Sequence, residues 1–203
     1  MRLILASASP SRLRLLRAAG IDPEVVVSGV DEDEMAAQMP QASPEEVAVS
    51  LARAKAQWVA DRNPDRLVLG ADSVLDVDGR SLGKPLRADT AVRRWHEIRG
   101  RSADLITGQC LIHPNGVETA AARTTVHFAT PDDAEIEAYV ATGEPLHVAG
   151  GFTLDGYGSA FVESVEGDPA NVIGLGIPLL RTMVRDAGLR WTDLWNHTPE
   201  TIN

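Results

Sequence analysis

Hydrophobic residues recur along this chain with two spacings, one typical of buried strands and one typical of amphipathic helices. Short uninterrupted apolar runs predict strands, and apolar residues three or four positions apart predict helices. The predicted strands cover residues 2–6, 24–28, 67–71, 104–112, 117–128 and 159–165, and the predicted helices cover residues 10–19, 44–60, 88–99, 130–143 and 177–187. This mixture predicts one α/β domain over residues 1–203, with a mixed sheet and a polar tail from about residue 192.

Three short motifs add detail to these predicted helices, strands and loops. Ser43-Pro44-Glu45-Glu46 is a capping box with proline at the first helical position. Pro114-Asn115-Gly116 joins two long strands in a predicted hairpin. The run Asp31-Glu32-Asp33-Glu34 is predicted to be a loop, either as solvated surface or as a carboxylate cluster that holds a hard cation.

The first dozen residues combine a buried strand with a polar helix start. The apolar run ends at Ser7 and Ser9, and Pro10 and Arg12 follow at the beginning of a helical pattern. A helix N-terminus offers free N–H groups and a positive dipole end, so it suits an anion such as phosphate. Arg12 adds a fork of donors that matches phosphate oxygens. The alternative is an ordinary capped helix after an ordinary strand.

Two more charged residues occupy positions that call for an explanation. Lys55 falls on the apolar row of its helix, four residues after Leu51, so it must snorkel, pair or point into a cleft. Asp72 directly follows the strand at 67–71. Reactive groups of α/β sheets gather at the carboxyl ends of strands, so Asp72 is a catalytic candidate, and a turn aspartate is the alternative.

Lys84 stands in a loop between Gly83 and Pro85. Both neighbours are conformationally special, so the position of this lysine is predicted to be fixed.

Composition narrows the functional classes. The 203 residues carry a formal net charge of −10, which disfavours binding to nucleic acid or an anionic membrane. Cys110 is the only cysteine, so no intrachain disulfide can form, and a buried inert thiol in a reducing compartment is expected. No apolar run reaches the length of a membrane span, and the N-terminal apolar run is too short for a signal peptide. We therefore expect a cytoplasmic protein.

Together these residues indicate phosphoryl chemistry. Three cations, Arg12, Lys55 and Lys84, accompany Asp72 and the acidic run around Glu32. Such chemistry depends on positioning, charge neutralisation and a metal ion. Walker A, G-x-G-x-x-G and G-x-S-x-G motifs are all absent, and the histidines show no zinc-ligand spacing.

Motifs along nearly the whole chain resemble the Maf family of nucleoside triphosphate pyrophosphatases. The order and spacing of these motifs carry the resemblance, since each is weak alone. The matching stretches are Leu5–Pro10 with Arg12, Asp31-Glu32, Leu51-Ala52 through Lys55-Ala56, Gly70-Ala71-Asp72, Gly83-Lys84-Pro85, Gly100 with Thr107-Gly108, Gly143-Glu144, Ala149-Gly150, Gly167-Asp168, Asn171-Val172 and Gly174-Leu175.

The resemblance implies a two-lobed, elongated α/β fold, similar to the inosine triphosphatase group, with a cleft between the lobes. It implies hydrolysis of a nucleoside triphosphate to the monophosphate and pyrophosphate with a divalent cation, Mg²⁺ or Mn²⁺. Asp72 matches the proton acceptor of the family. The other matching polar cleft positions are Ser9, Arg12, Glu32, Lys55 and Lys84. Homodimers are common in such proteins, and links to septum formation and cell-division arrest are also attached to them.

The mechanistic hypothesis assigns a role to each residue. Ser7, Ser9 and Arg12 bind the phosphate tail. Glu32 and Asp72 hold the metal ion, which keeps waters and contacts substrate oxygens. Lys55 and Lys84 neutralise charge on the leaving pyrophosphate. Asp72 activates the attacking water, or serves chiefly as a metal ligand.

The chain departs from the family pattern at several positions. Ser11 stands where a second arginine is usual, Ala103 replaces a common histidine, and Val148 replaces a common lysine. Base choice in the family tracks positions that are here Arg12, Ser73 and Asp155, where pyrimidine-type members show Arg, Thr and Gln. A carboxylate only accepts hydrogen bonds, so Asp155 would suit a base with a donor edge, such as an amino group, and the residues leave the preferred base open.

Two other functions share these features. A nucleotide-binding regulator of septum formation would need no turnover, and it would not need Asp72 together with both lysines. A nucleotidyltransferase uses similar metal–phosphate chemistry, but its product depends on an acceptor other than water. Retention of Asp72, Lys55, Lys84 and Glu32 favours the hydrolase.

Overall fold

A computed structural model describes residues 2–196 and shows a mixed α/β fold. The strands are β1 (Leu3–Leu5), β2 (Glu24–Val25), β3 (Leu67–Val77), β4 (Arg80–Leu82), β5 (Ser102–His113), β6 (Gly116–Phe128) and β7 (Val162–Glu166). The helices are α1 (Pro10–Ala18), α2 (Glu32–Ala37), α3 (Pro44–Ala60), α4 (Ala88–Ile98), α5 (Asp133–Ala141), α6 (Pro169–Ile173) and α7 (Ile177–Asp186). Short 3₁₀ turns lie at Glu144–His147, Ala149–Gly151, Tyr157–Phe161 and Trp191–Leu194.

One sheet organises these elements, with the strand order β2-β1-β3-β5-β6-β7 and with β4 paired to the far half of β3. β1 runs parallel to β2 and β3, whereas the pairs β3–β5, β5–β6 and β6–β7 are antiparallel. The mixed sheet and the central hairpin predicted from the sequence are confirmed.

The prediction that Asp72 ends a strand is wrong. β3 continues through Asp72 to Val77, since its residues pair with β5 as far as Asp76. β1, however, ends at Leu5 opposite Leu69. Asp72 therefore lies beside the end of β1, where no strand covers that edge of β3. Long-range pairing with β5 extends the strand, and the local apolar run does not reveal it.

Two glycines let α3 lie unusually close to the sheet. A Cβ atom on Gly70 would lie 2.1 Å from the carbonyl oxygen of Ala52. A Cβ atom on Gly108 would lie 2.4 Å from the carbonyl oxygen of Ala48. Asp72 pairs with Gly108 across the β3–β5 ladder, so it stands beside this close approach. The glycines thus bring the α3 side chains within reach of Asp72.

The apolar core lies in two large clusters along the sheet. The first joins β1 and the start of β3 to α1 and α7, with Leu16, Leu69 and Leu180 fully buried. The second joins the end of β3 to α4 and α5, and its centre is Trp95 with edge-on contacts to Phe128 and Tyr139. Two smaller clusters lie beside them, one with Ile4 and Cys110 and one with Val74 and Ile106.

Local predictions have mixed outcomes. The capping box at Ser43 is confirmed, with Glu46 accepting from the Ser43 backbone at 2.7 Å. The acidic run is not a loop: Asp31 accepts from the Glu34 N–H at 2.9 Å and starts α2 at Glu32. Three carboxylates in a first turn suit the helix dipole, which favours this helix.

The predicted polar tail from about residue 192 packs back onto the domain as far as residue 196. Leu194 is buried, and the Asn196 N–H donates to the Gly20 carbonyl at 3.0 Å. His197 and the residues that follow lie outside the described residues. No helix between residues 2 and 196 is long and apolar enough to cross a membrane.

Candidate active site

A cavity of about 400 Å³ opens beside the end of β1. It falls within the range of roughly 300–1,000 Å³ that is usual for small-molecule sites. The sequence-predicted site residues on its wall are Ser7, Ser9, Arg12, Glu32, Lys55, Asp72, Ser73 and Lys84. Residues from five separate stretches of the chain therefore meet in one cavity, as the motifs predict.

Lys55 forms the centre of a charge cluster, defined here as Lys55, Asp72 and Glu32. Its Nζ donates to Asp72 Oδ1 at 2.6 Å and lies 2.8 Å from Glu32 Oε1. The Lys55 and Asp72 side chains are only 6% and 10% exposed. Lys55 therefore pairs inside the cavity, and the snorkelling alternative is wrong. Oδ2 of Asp72 has no hydrogen-bond partner among residues 2–196 and stays available to a ligand or a water.

Glu32 reaches this cluster from the first turn of α2. Partial burial opposes its ionisation, but the charges of Lys55, Lys84 and Arg12 together lower the pKa of the Glu32 carboxyl below its ordinary value. Glu32 is therefore ionised at neutral pH. The cavity wall holds three cations, Arg12, Lys55 and Lys84, against two carboxylates, within a chain of net charge −10. This local excess of positive charge suits an anionic ligand.

Arg12 is buried and held on three sides. Its Nε donates to the Gly174 carbonyl at 2.8 Å, Nη1 donates to Ser7 Oγ at 3.0 Å, and Nη2 donates to Ser73 Oγ at 3.0 Å. Burial lowers the pKa of the Arg12 guanidinium, while Asp72 and Glu32 oppose that shift. A guanidinium has five N–H donors, so two remain for a ligand. Its orientation is fixed before any ligand arrives.

The loop before α1 has the predicted shape. Ser9 is the N-cap and accepts from the Arg12 N–H at 3.4 Å, and the Ser9 N–H donates to Ser7 Oγ at 3.2 Å. Ser7 thus supports both the loop and the arginine. The helix start points at the cavity through Ser9, Pro10 and Ser11, which line it.

Lys84 is exposed, lines the cavity and has no hydrogen-bond or ion-pair partner among residues 2–196. The loop that carries it is held by the Gly83 carbonyl, which accepts from Arg94 Nη1 at 2.6 Å and from the Gly150 N–H at 3.1 Å. Gly83 itself has an ordinary φ and open space around its Cβ position. The predicted fixed position thus arises from these hydrogen bonds, and the glycine conformation does not require it.

Asp155 does not line the cavity, although the sequence places it among the substrate-binding residues. Its Oδ1 accepts from Thr153 Oγ1 at 2.5 Å, and its Oδ2 accepts from Arg14 Nη2 at 2.5 Å. Thr153 takes the place on the wall. The same Arg14 atom donates to Ser11 Oγ at 3.0 Å. Arg14 therefore connects Ser11 and Asp155, two positions at which the chain departs from the family pattern.

Sequence reasoning missed several residues that shape this cavity. His147 and Thr153 line it directly. Glu144 accepts from Tyr139 Oη and from the N–H groups of Tyr157 and Gly158, each at 2.9 Å, and so holds the segment that follows Thr153. The motif Gly143-Glu144 was the available signal, but only the tertiary contacts reveal its structural role.

Val148 and Ala103, the other two residues that depart from the family pattern, lie in different parts of the structure. Val148 lines the cavity, whereas Ala103 is buried in the second core cluster. Cys110 is fully buried, and burial raises the pKa of its thiol, as expected of an inert cysteine.

The cavity can be examined for side chains that could ligate a divalent cation. Within residues 2–196, no three histidine, cysteine, aspartate or glutamate side chains gather as a metal site. Glu32 and Asp72 nevertheless converge, because both bind the same Lys55 Nζ. Mg²⁺ commonly takes one or two protein carboxylates and completes its shell with water and substrate phosphates. The two carboxylates fit that requirement.

The chain matches the family model described as Maf-like protein over residues 2–187. The chain belongs to the Maf-like family. Three relatives named nucleoside triphosphate pyrophosphatase support this membership. The protein of Nocardia farcinica is 51% identical over 205 residues, covering 96% of this chain and 97% of that one. The protein of Streptomyces coelicolor is 52% identical over 199 residues, with coverages of 96% and 94%. The protein of Corynebacterium diphtheriae is 46% identical over 197 residues, with coverages of 97% and 100%.

Among solved structures, the Staphylococcus aureus Ham1 protein aligns with a TM-score of 0.46 at 13% identity. The alignment covers 92% of this Maf-like chain and 100% of the Ham1 chain. The family that the sequence motifs resemble is thus confirmed by the family model and by the curated relatives.

Proposed function

We propose that this protein hydrolyses a nucleoside triphosphate to the monophosphate and pyrophosphate. The observation that carries the proposal is the charge cluster of Lys55, Asp72 and Glu32 in a cavity that also presents Arg12 and Lys84. The names of the relatives at about 50% identity agree with this activity. The cluster supplies the charge neutralisation and positioning on which phosphoryl transfer depends.

Asp72 is the proposed proton acceptor. Lys55 occupies Oδ1 and fixes the carboxylate, and Oδ2 then takes a proton from the water that attacks the α-phosphorus. The bond between the α-phosphorus and the bridging oxygen breaks, and pyrophosphate leaves with its charge offset by Lys55 and Lys84. Arg12, Ser7 and Ser9 hold the phosphate chain.

A divalent cation, Mg²⁺ or Mn²⁺, is the proposed cofactor, with Glu32 and Asp72 as the residues that would hold it. Such an ion polarises phosphoryl oxygens and offsets charge on them. Lys55 already binds both carboxylates, so it holds them close together. The cytoplasmic location and the homodimer expected from the sequence stay predictions.

The test is a turnover assay on a panel of ordinary and modified nucleoside triphosphates with Mg²⁺ or Mn²⁺. We expect equimolar pyrophosphate and monophosphate, with no product that depends on an added acceptor. Absence of turnover across the panel, with nucleotide binding retained, would favour the non-catalytic regulator instead. A product formed only with an acceptor would favour the nucleotidyltransferase.

A further inference from the structure

A single buried amide holds helix α6 on the sheet. Asn171 is fully buried, and its Nδ2 donates to the Leu105 carbonyl of β5 at 3.1 Å and to the Ala122 carbonyl of β6 at 3.3 Å. A third acceptor, Thr124 Oγ1, lies at 3.1 Å. Carbonyl oxygens only accept hydrogen bonds, so the NH₂ end of the amide must face the two strands. Asn171 therefore ties α6 to β5 and β6 at once.

α6 is short, so its position depends strongly on such hydrogen bonds. It spans Pro169–Ile173, and its buried residues are Asn171 and Val172. Thr124 Oγ1 also holds the residue before the helix, because it donates to the Asp168 carbonyl at 3.0 Å and accepts from the Asp168 N–H at 3.2 Å. A helix of little more than one turn buries little apolar surface, so the polar contacts of Asn171 and Thr124 decide where it lies.

The end of α6 carries the carbonyl group that holds Arg12. The Gly174 N–H donates to the Asn171 carbonyl at 3.0 Å, and the Gly174 carbonyl accepts from Arg12 Nε at 2.8 Å. Gly174 has a φ of +132°, which residues with a side chain rarely adopt, and this conformation lets the carbonyl face the arginine. A shift of α6 would therefore move an acceptor on which the orientation of Arg12 depends.

A second route leads from Asn171 to Arg12 through two hydroxyl groups. Thr107 Oγ1 lies 3.3 Å from the Asn171 carbonyl oxygen and 2.8 Å from Ser73 Oγ. Arg12 Nη2 donates to Ser73 Oγ at 3.0 Å. The contact between the two hydroxyls holds the groups together whichever of them donates. Two of the three side-chain anchors of Arg12 thus lead to Asn171, and the third, Ser7, is only five residues away in the chain.

We propose, on the basis of the pyrophosphatase function above, that Asn171 is a positioning residue that aims the Arg12 guanidinium at the phosphate chain of the substrate. Two N–H groups of Arg12 remain for a ligand, and a hydrogen bond weakens steeply as its angle departs from linear. Asn171 is not among the residues that line the cavity, whereas Val172, Ile173 and Gly174 are. The effect of Asn171 on the substrate is therefore indirect.

Asn171→Ala is the first variant. Loss of the amide lets α6 and the Gly174 carbonyl shift, so KM for the triphosphate should rise about tenfold, as one misaligned hydrogen bond to a charged ligand would give. kcat should change by less than about threefold, because Arg12 binds the phosphate chain in substrate and transition state alike. Asn63→Ala removes an amide bond to the Val59 carbonyl at the end of α3 and is the matched control, which should keep both constants. An unchanged KM in folded Asn171→Ala would overturn the inference.

A double-mutant cycle separates positioning from a general contribution to stability. Arg12→Met removes the guanidinium and keeps an unbranched side chain, so Asn171 has nothing left to aim in that background. We expect Asn171→Ala to change KM by less than about twofold in Arg12→Met, against about tenfold in the parent protein. A further tenfold rise in the Arg12→Met background would contradict the inference, since it would show that Asn171 acts on the substrate independently of Arg12.

Thr124→Val provides a second variant that decides the inference if loss of the Asn171 amide prevents folding. It keeps the shape of the side chain but removes one acceptor of the Asn171 amide and both contacts with Asp168. KM should rise about threefold in the parent protein and stay unchanged in Arg12→Met. Melting temperatures measured beside the kinetics show which variants fold. Equal rises in the two backgrounds would count against the positioning role.

The cycle also works without turnover. If no triphosphate is hydrolysed, the proposed function fails, and the dissociation constant of inorganic triphosphate, measured by calorimetry, replaces KM. This probe carries the phosphate chain without a base. A loss of affinity in Asn171→Ala that disappears in the Arg12→Met background would support the inference. Equal losses in both backgrounds, or no binding to the unsubstituted protein, would overturn it.

Discussion

The buried charge cluster and the outer charged groups beside the cavity differ in burial and in how their charges are paired. Lys55 and Asp72 have side chains 6% and 10% exposed, and Lys55 holds two carboxylates at once. Among the outer groups, defined here as Arg14, Lys84 and Asp155, Lys84 is unpaired within residues 2–196 and Arg14 is 61% exposed.

This difference separates charges that should be costly to remove from charges that should not. Breaking a buried ion pair leaves a charge without its partner, so the cluster resists change. An exposed pair such as Arg14–Asp155 contributes about 0–1 kcal/mol to stability. Removal of an outer charge should therefore cost little stability, and removal of one partner of the cluster should cost more.

The largest effect is expected from Asp72→Asn. The amide keeps the size of the side chain but cannot take up the proton of the attacking water, so kcat should fall by about 10³-fold or more. Pyrophosphate release under saturating substrate is the measurement, with the circular dichroism spectrum as the check on folding. Near-normal turnover in the folded variant would remove Asp72 from the mechanism.

Lys55→Met compared with Lys84→Met tests the contrast between the two regions directly. Removal of the Lys55 ammonium leaves Asp72 buried without its partner, which should cost about 3–5 kcal/mol in the free energy of unfolding. Lys84→Met should change the free energy of unfolding by less than about 0.5 kcal/mol, because Lys84 is exposed. Urea unfolding measures both. Equal losses would contradict the distinction between buried and outer charges.

Gly108→Ala tests the close approach of α3 that places Lys55 beside Asp72. Its Cβ would lie 2.4 Å from the backbone of Ala48, so overpacking should cost about 1–3 kcal/mol or more. Gly83→Ala is the control in the outer region, since nothing lies within 4 Å of its Cβ position. Thermal unfolding compares the two. A stable Gly108→Ala protein with unchanged activity would show that the close approach is dispensable.

The smallest effect is expected from Glu32 at low pH. Its pKa is lowered in the folded protein, so its contribution to stability is present above the ordinary value of 4.5 and is lost as pH falls through the folded value. Glu32→Gln should therefore flatten the loss of stability below about pH 4.5. Urea unfolding between pH 6 and pH 3 is the measurement. Parallel curves for the two proteins would show that Glu32 gains nothing from Lys55.

Most elements followed from local patterns, and the two exceptions have different causes. The capping box at Ser43 and the hairpin at Asn115 depend on neighbouring residues, so they could be predicted. The continuation of β3 past Asp72 depends on pairing with β5, and no local signal encodes it. The helix at Glu32 was missed because a cap and a dipole outweighed the appearance of an acidic loop.

The candidate site could likewise be predicted only in part. Residue types and motif order pointed to Arg12, Lys55, Asp72 and Lys84, because those features lie in the sequence itself. Asp155 was expected to face the substrate, yet Thr153 lines the cavity and Asp155 only binds Thr153. Contacts between distant segments decide which of two neighbouring polar residues reaches the cavity.

The sequence by itself determined the α/β class, most of the helices and strands, the family and the charged residues of the site. Periodicity, capping and motif order are local properties, so they survive without coordinates. The tertiary structure alone decided that Lys55 pairs with Asp72 and Glu32, that Arg12 is held on three sides, and that Thr153 rather than Asp155 lines the cavity. These properties depend on hydrogen bonds between residues far apart in the chain, whose partners only the fold brings together.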